Sequence, residues 1–415
     1  MIIAVICLAV WLVPVFRIVL WVLPPFRGDI HAAARAGQTE QVRRILIARP
    51  WLLKNKGWQV RTPLQIASKT GRTDVVALLL ERGADVNAKA GAQSFTPLHL
   101  ATRGSHTDVV ELLLAAGAEA GAKAQSDYTP LHYALTKEAV ESLLANGADI
   151  NAQTEDGQTS LHVAVRSGRR AVMRALADGG ASWSTRDKRR IMPIQAAAMN
   201  GMTEAFALFL QTGGNVEMVV TGELQVMLHA VAAGGFVDVM TLLIENGADV
   251  DATDETGHTP LHIATQHQRE DVVRLLVAKG AIVDIRDSRG LTALHFATRD
   301  NVEQIAALLL DNGADPNAKA KDDEAPLHAA AFYGSVQVAA VLLERGADVN
   351  AAVKSGFTPL HFTAHEGRPE VTKLLLAKGA DVTLKTNDGM TPLEMATRTG
   401  TAKVAELLRE HEAGK

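Results

Sequence analysis

The sequence predicts an all-α repeat solenoid of stacked helix-turn-helix units with short β-hairpin fingers, preceded by an N-terminal hydrophobic helix. Three observations carry that expectation. The chain has 415 residues, more than one hydrophobic core sustains, since compact domains stop growing near ~250–300 residues. Hydrophobic residues make up 47% but aromatics only 4%. Alanine and aliphatic side chains must then do the packing, which suits closely spaced helices and argues against an all-β sandwich or a disordered chain. A four-residue motif also returns at intervals of 30 to 34 residues along the chain.

The first element is a leader, residues 1–26. Residues 1–23 contain fifteen Ile, Leu, Val or Phe, interrupted by Pro14 and Arg17. Each aliphatic residue contributes roughly −0.3 to −0.6 kcal/mol to insertion, against about +2.5 to +3.5 kcal/mol for a central Arg. The sum favours a membrane-spanning helix, and the run is long enough for the ~30 Å hydrocarbon layer. A cleavable signal peptide is the alternative. It calls for a basic stretch first and a small-residue cleavage site, whereas nothing basic precedes Arg17 and the run ends in Trp21 and Pro24-Pro25. Arg27, Arg35, Arg43, Arg44, Arg49, Lys54 and Lys56 follow, so the positive-inside rule places the rest of the chain in the cytoplasm. The expectation is a single-pass protein with a cytoplasmic array, or a secreted or periplasmic one if the leader is removed.

The repeat begins at once after the leader. Thr96-Pro97-Leu98-His99 recurs from Thr129, Thr259 and Thr358, with weaker copies from Thr62, Thr159, Met192, Val226, Thr292, Ala325 and Thr391. Gly28-Asp29-Ile30-His31 is a half-degenerate copy. The implied units are 28–61 as N-terminal cap, 62–95, 96–128, 129–158, 159–191, 192–225, 226–258, 259–291, 292–324, 325–357, 358–390 and 391–415 as C-terminal cap. Period and motif together resemble the ankyrin-repeat family, whose repeat is about 33 residues long and contains T-P-L-H. Proline fits the first helical position without losing a hydrogen bond, while Leu98 and Ala101 face a thin core. The resemblance implies that the Thr hydroxyl and the His ring brace the turn and the neighbouring unit.

Second helices open with Thr73-Asp74, Thr107-Asp108 and Thr203-Glu204, which predicts a threonine N-cap and an anion at the positive helix end. Glycines from Gly83 to Gly379 stop these helices where a left-handed residue is needed. About ten residues then form each finger. The fourth unit is three residues short near Lys137, and Gln268 and Asn301 stand where a turn glycine is expected.

Chemistry is mostly absent from the pattern. The only cysteine, Cys7, lies in the leader, which excludes a disulfide framework, a thiolate zinc site and a cysteine nucleophile in the array. Nine of the fourteen histidines occupy the motif position. The pair His361 and His365 has helix-face spacing but no H-E-x-x-H context. With neither a phosphate-binding glycine loop nor G-x-S-x-G, the reading is a non-enzyme without cofactor, metal or small-molecule substrate. The charge balance, 42 basic against 46 acidic residues, disfavours nucleic acid.

A protein partner remains. Candidate contacts are the positions that the repeat does not dictate. Arg166, Arg169, Arg170, Arg186, Lys188, Arg189 and Arg190 fall in a basic run with Arg174, opposed only by Asp178 and Asp187. It reads as a patch for an acidic partner, anionic lipid heads or phosphate, or as a solvated run. From Ile191 to Gln268 there is no Lys or Arg in 78 residues, and six of ten methionines lie there. Met199, Met202 and Met218 are candidates for an adaptable apolar surface, the alternative being gap-filling in the core. Trp183, Phe332 and Tyr333 are lesser candidates, since aromatics are enriched at interface hot spots.

Overall fold

The computed structural model describes residues 29–56, 61–213 and 223–414. The leader, expected as a membrane anchor, lies outside them, as does Met218. Among the described residues no helix is long and apolar enough to cross a membrane.

The described chain is a succession of short helix pairs that divides into two units, residues 1–193 and 194–415. In the first unit α1 (Ile30–Ala36) pairs with α2 (Thr39–Ala48), α3 (Pro63–Lys69) with α4 (Thr73–Glu81), and α5 (Pro97–Arg103) with α6 (Thr107–Ala115). A 3-10 turn, Pro130–Tyr133, takes the place of a first helix before α7 (Lys137–Ala145), and α8 (Ser160–Arg166) pairs with α9 (Arg170–Asp178). The second unit repeats the pattern. It includes α10 (Pro260–Gln266) with α11 (Glu270–Ala278), α12 (Ala293–Arg299) with α13 (Glu303–Asp311), and α14 (Pro326–Tyr333) with α15 (Val336–Glu344). Two further pairs close it: α16 (Pro359–Glu366) with α17 (Pro369–Ala377), and α18 (Pro392–Thr399) with α19 (Ala402–Ala413). Within each unit first helices pack on first helices and second helices on second helices.

Each pair is too thin to bury its apolar stripe alone, so neighbours supply the missing wall. Leu98, Ala101, Val110 and Leu113 are fully buried, and their counterparts recur at Leu261, Ala264, Val273 and Leu276. The helix-stop glycines are needed for conformation alone. Gly180 has φ +89°, yet a Cβ there would meet nothing within 4 Å.

One expectation is corrected. Second helices are not capped by their threonines. They start one residue earlier, with Arg72, His106 and Met202 at the N-cap and no side-chain capping bond. The threonine caps belong to the first helices: Thr96 Oγ1 accepts from His99 N at 3.4 Å, and Thr96 N donates to His99 Nδ1 at 3.3 Å. The expected β-hairpin fingers show little strand pairing. Among the described residues there is one isolated bridge, Ala90 with Phe95. Elsewhere a finger closes on turn bonds such as Asp187 N to Ile191 O, 3.0 Å, and Arg190 N to Asp187 O, 2.8 Å.

Candidate partner-binding surface

The motif residues are consumed by the fold. The His162 Nδ1 accepts from Thr159 N at 3.1 Å, and its Nε2 donates to Ile191 O of the next finger at 3.0 Å. The His99 and His262 rings do the same toward Tyr128 O and Leu291 O, both at 3.1 Å. Burial drives these rings toward the neutral form, with His99, His262 and His295 pushed down to about 4. A neutral ring that donates through Nε2 and accepts through Nδ1 satisfies both ends of the unit it braces, the first helix and the finger. These histidines therefore have no nitrogen left for a metal or a substrate. Among the described residues no group of three His, Cys, Asp or Glu side chains is placed to hold a metal ion.

The basic run separates into different roles. The Arg169 Nη1 donates to Ala134 O at 3.1 Å, a brace to the preceding first helix that Arg72 repeats at Arg35 O and Arg368 at Phe332 O, both at 3.0 Å. Its place in the sequence run suggested a partner contact, but its head group serves the stack. Arg170 and Arg186 are engaged with neighbouring groups. Arg166 is exposed at the end of α8, while Lys188, Arg189 and Arg190 are exposed at one fingertip.

Trp183 is also corrected. It is only 7% exposed, buried with the core rather than open at the finger. The methionines split likewise. Met192, Met227 and Met240 are buried and fill core gaps. Met199 is 54% exposed, and Met202 is half-buried at the N-cap of the helix Thr203–Gln211.

Phe332 and Tyr333 stand out from the surface of α14, 38% and 45% exposed. Their rings meet edge-to-face at 5.0 Å, and Phe332 lies 6.4 Å from Phe362 of α16. Phe362 in turn contacts Phe357 at 5.7 Å. In a chain with so few aromatics, four rings run in a row along the first helices and the adjoining finger. Sequence reading missed Trp51, 68% exposed in the 3-10 turn Pro50–Lys54. Its signal was the Arg49-Pro50 break that replaces the first unit's helix-stop glycine.

The family model described as ankyrin repeats (three copies) matches residues 30–124, 116–187, 194–287, 280–353 and 327–415. Residues 21% of the chain long are 36% identical to an ankyrin repeat and SAM domain-containing protein 6 of Danio rerio. A stretch covering 26% of the chain is 27% identical to a transient receptor potential cation channel subfamily A member 1 homolog of Caenorhabditis elegans. These matches span 12% and 9% of the two relatives.

Proposed function

This chain belongs to the ankyrin-repeat family, and from that premise we propose that it is a non-catalytic scaffold that docks a partner protein on its first helices and fingers. The supporting observation is the aromatic row of Phe332, Tyr333, Phe357 and Phe362. Exposed apolar side chains in contact with one another mark interaction sites, and Phe332 and Tyr333 are exposed here. Met199 and Met202 are proposed as a second, adaptable apolar contact. Arg166 and the fingertip cations are proposed as its charged complement.

The test is capture by the immobilised full chain, followed by quantitative mass spectrometry. Phe332→Ser with Tyr333→Ser should remove a defined set of captured proteins while circular dichroism stays unchanged. An unchanged set would overturn the aromatic row as the docking face.

We further infer that residues 1–23 tether the scaffold to a membrane with the array on the cytoplasmic side. Their apolar length and the basic residues that follow support this. A C-terminal tag should stay with the membrane fraction and be cut only after the cytoplasmic face is opened. A tag cut from outside intact cells would select export instead.

A further inference from the structure

We propose that the tip of the finger at 186–191 docks a short acidic segment of the partner protein through Lys188, Arg189 and Arg190. The inference rests on the reading of the array as a protein-binding scaffold. It narrows the basic run of the sequence to three consecutive side chains at one tip.

Three observations carry it. The side chains of Lys188, Arg189 and Arg190 are exposed and form no hydrogen bond or ion pair among the described residues. Arg190 also occupies a left-handed conformation, φ +64°. The same tip position holds Gly157, Gly257, Gly290, Gly356 and Gly389, or the small Ser94, Asp127 and Asp323. A long side chain there costs about 1–2 kcal/mol that glycine avoids, and such strain collects at functional positions. Finally, the tip backbone is fixed. Lys188 N donates to Asp156 O at 2.9 Å and Arg190 N to Asp187 O at 2.8 Å. Asp187 Oδ1 accepts from Arg189 N and Ile191 N, both at 2.9 Å. A backbone ordered in advance lowers the entropic cost of binding.

The number and setting of the charges select the occupant. Nucleic-acid binders make about 6–10 phosphate contacts, and anionic membranes are read by clusters of about 4–8 basic residues. Three cations fall short of both. Glu155 and Asp156 are exposed on the preceding tip, where their carboxylates repel an extended polyanion. A short peptide can present two or three carboxylates to the guanidinium forks, which bind them bidentately, and turn away from that tip.

The experiment is fluorescence anisotropy of the full chain with a short fluorescein-labelled glutamate-rich peptide, against the same peptide with glutamine for glutamate. The glutamate peptide should bind, and more weakly as salt rises. Arg189→Glu with Arg190→Glu should lower its affinity by about tenfold or more. Arg190→Gly should weaken binding several-fold while raising the thermal midpoint, a pairing that a purely structural arginine does not give. Equal binding of the glutamine peptide, or unchanged affinity in the double reversal, would overturn the proposal. So would binding of phosphatidylserine vesicles or an oligonucleotide in place of the peptide. If the peptide fails while capture through Phe332 and Tyr333 persists, the acidic segment is lost and the scaffold stands; if both fail, the scaffold is lost too.

Discussion

The finger at 286–291 and the finger at 186–191 share a frame. In each a buried aspartate, Asp287 or Asp187, accepts two backbone N–H groups through Oδ1 at 2.8 to 2.9 Å. In each the base is anchored by the motif histidine of its own unit, His262 or His162. Beyond the frame they part. Arg289 reaches back to Asp287 Oδ2 at 3.2 Å and lies over the Phe296 ring at 5.8 Å. Its neighbour Arg286 donates to Lys319 O at 2.8 Å, and Asp287 Oδ2 also meets His258 Nε2 at 3.2 Å. The other finger has Ala196 at the position of Phe296, and Arg189 makes no such contacts. Gly290 sits at the left-handed tip of one finger, Arg190 at the other. One finger spends Arg286 and Arg289 on the stack, the other leaves Arg189 and Arg190 for solvent or a partner. The same sequence pattern thus supports either use.

The largest expected effect acts on both fingers. Burial holds His99, His262 and His295 at about 4, below the ordinary 6.5, and lowers His162 as well. The folded chain therefore keeps these rings neutral where the unfolded chain takes up protons. Stability is complete above about pH 6.5 and falls as the pH drops toward 4. At about 1.4 kcal/mol per pH unit for each group, the total loss is several kcal/mol. Urea midpoints followed over that window should decline steadily; a flat profile would mean that the rings are not buried neutral.

Asp287→Ala comes next. It removes a fully buried carboxylate that serves two backbone groups, His258 and Arg289, and should cost about 3 kcal/mol. Asp187→Ala loses the backbone bonds alone and should cost about half as much. Equal losses in chemical denaturation would erase the distinction between the fingers.

The tips should respond in opposite directions. Arg190→Gly should stabilise by about 1 kcal/mol through relief of the left-handed arginine. Gly290→Arg should destabilise by at least that amount, since a Cβ there would stand 3.1 Å from Lys321 N. Differential scanning calorimetry of the two variants checks both signs. The smallest effect is expected from the exposed arginines. Arg289→Ala should lose about 0.5–1 kcal/mol of ion pairing and ring contact, and Arg189→Ala less than about 0.5 kcal/mol. Thermal melts that rank them the other way would contradict the pairing.

The repeat was legible because its constraints are local. Thr96, Pro97 and His99 state a cap, a pre-set φ and a brace within four residues, and they do so many times. Gln268 and Asn301 could be placed at the turn by register, and both hold φ above +50° there. The candidate surface was less legible because exposure depends on the neighbouring unit. Arg169 looks like any other arginine of its run until Ala134 O, from the preceding unit, is seen at its head group. Trp183 looks available in sequence and is buried by neighbours that sequence does not place. Phe332 and Tyr333 could be found early because two adjacent large rings exceed what a thin helical layer can cover.

The most direct measurement is hydrogen–deuterium exchange of the full chain with and without the glutamate-rich peptide. The account predicts added protection across 186–191 and none across 286–291. Protection of both fingers alike, or of 286–291 alone, would contradict it.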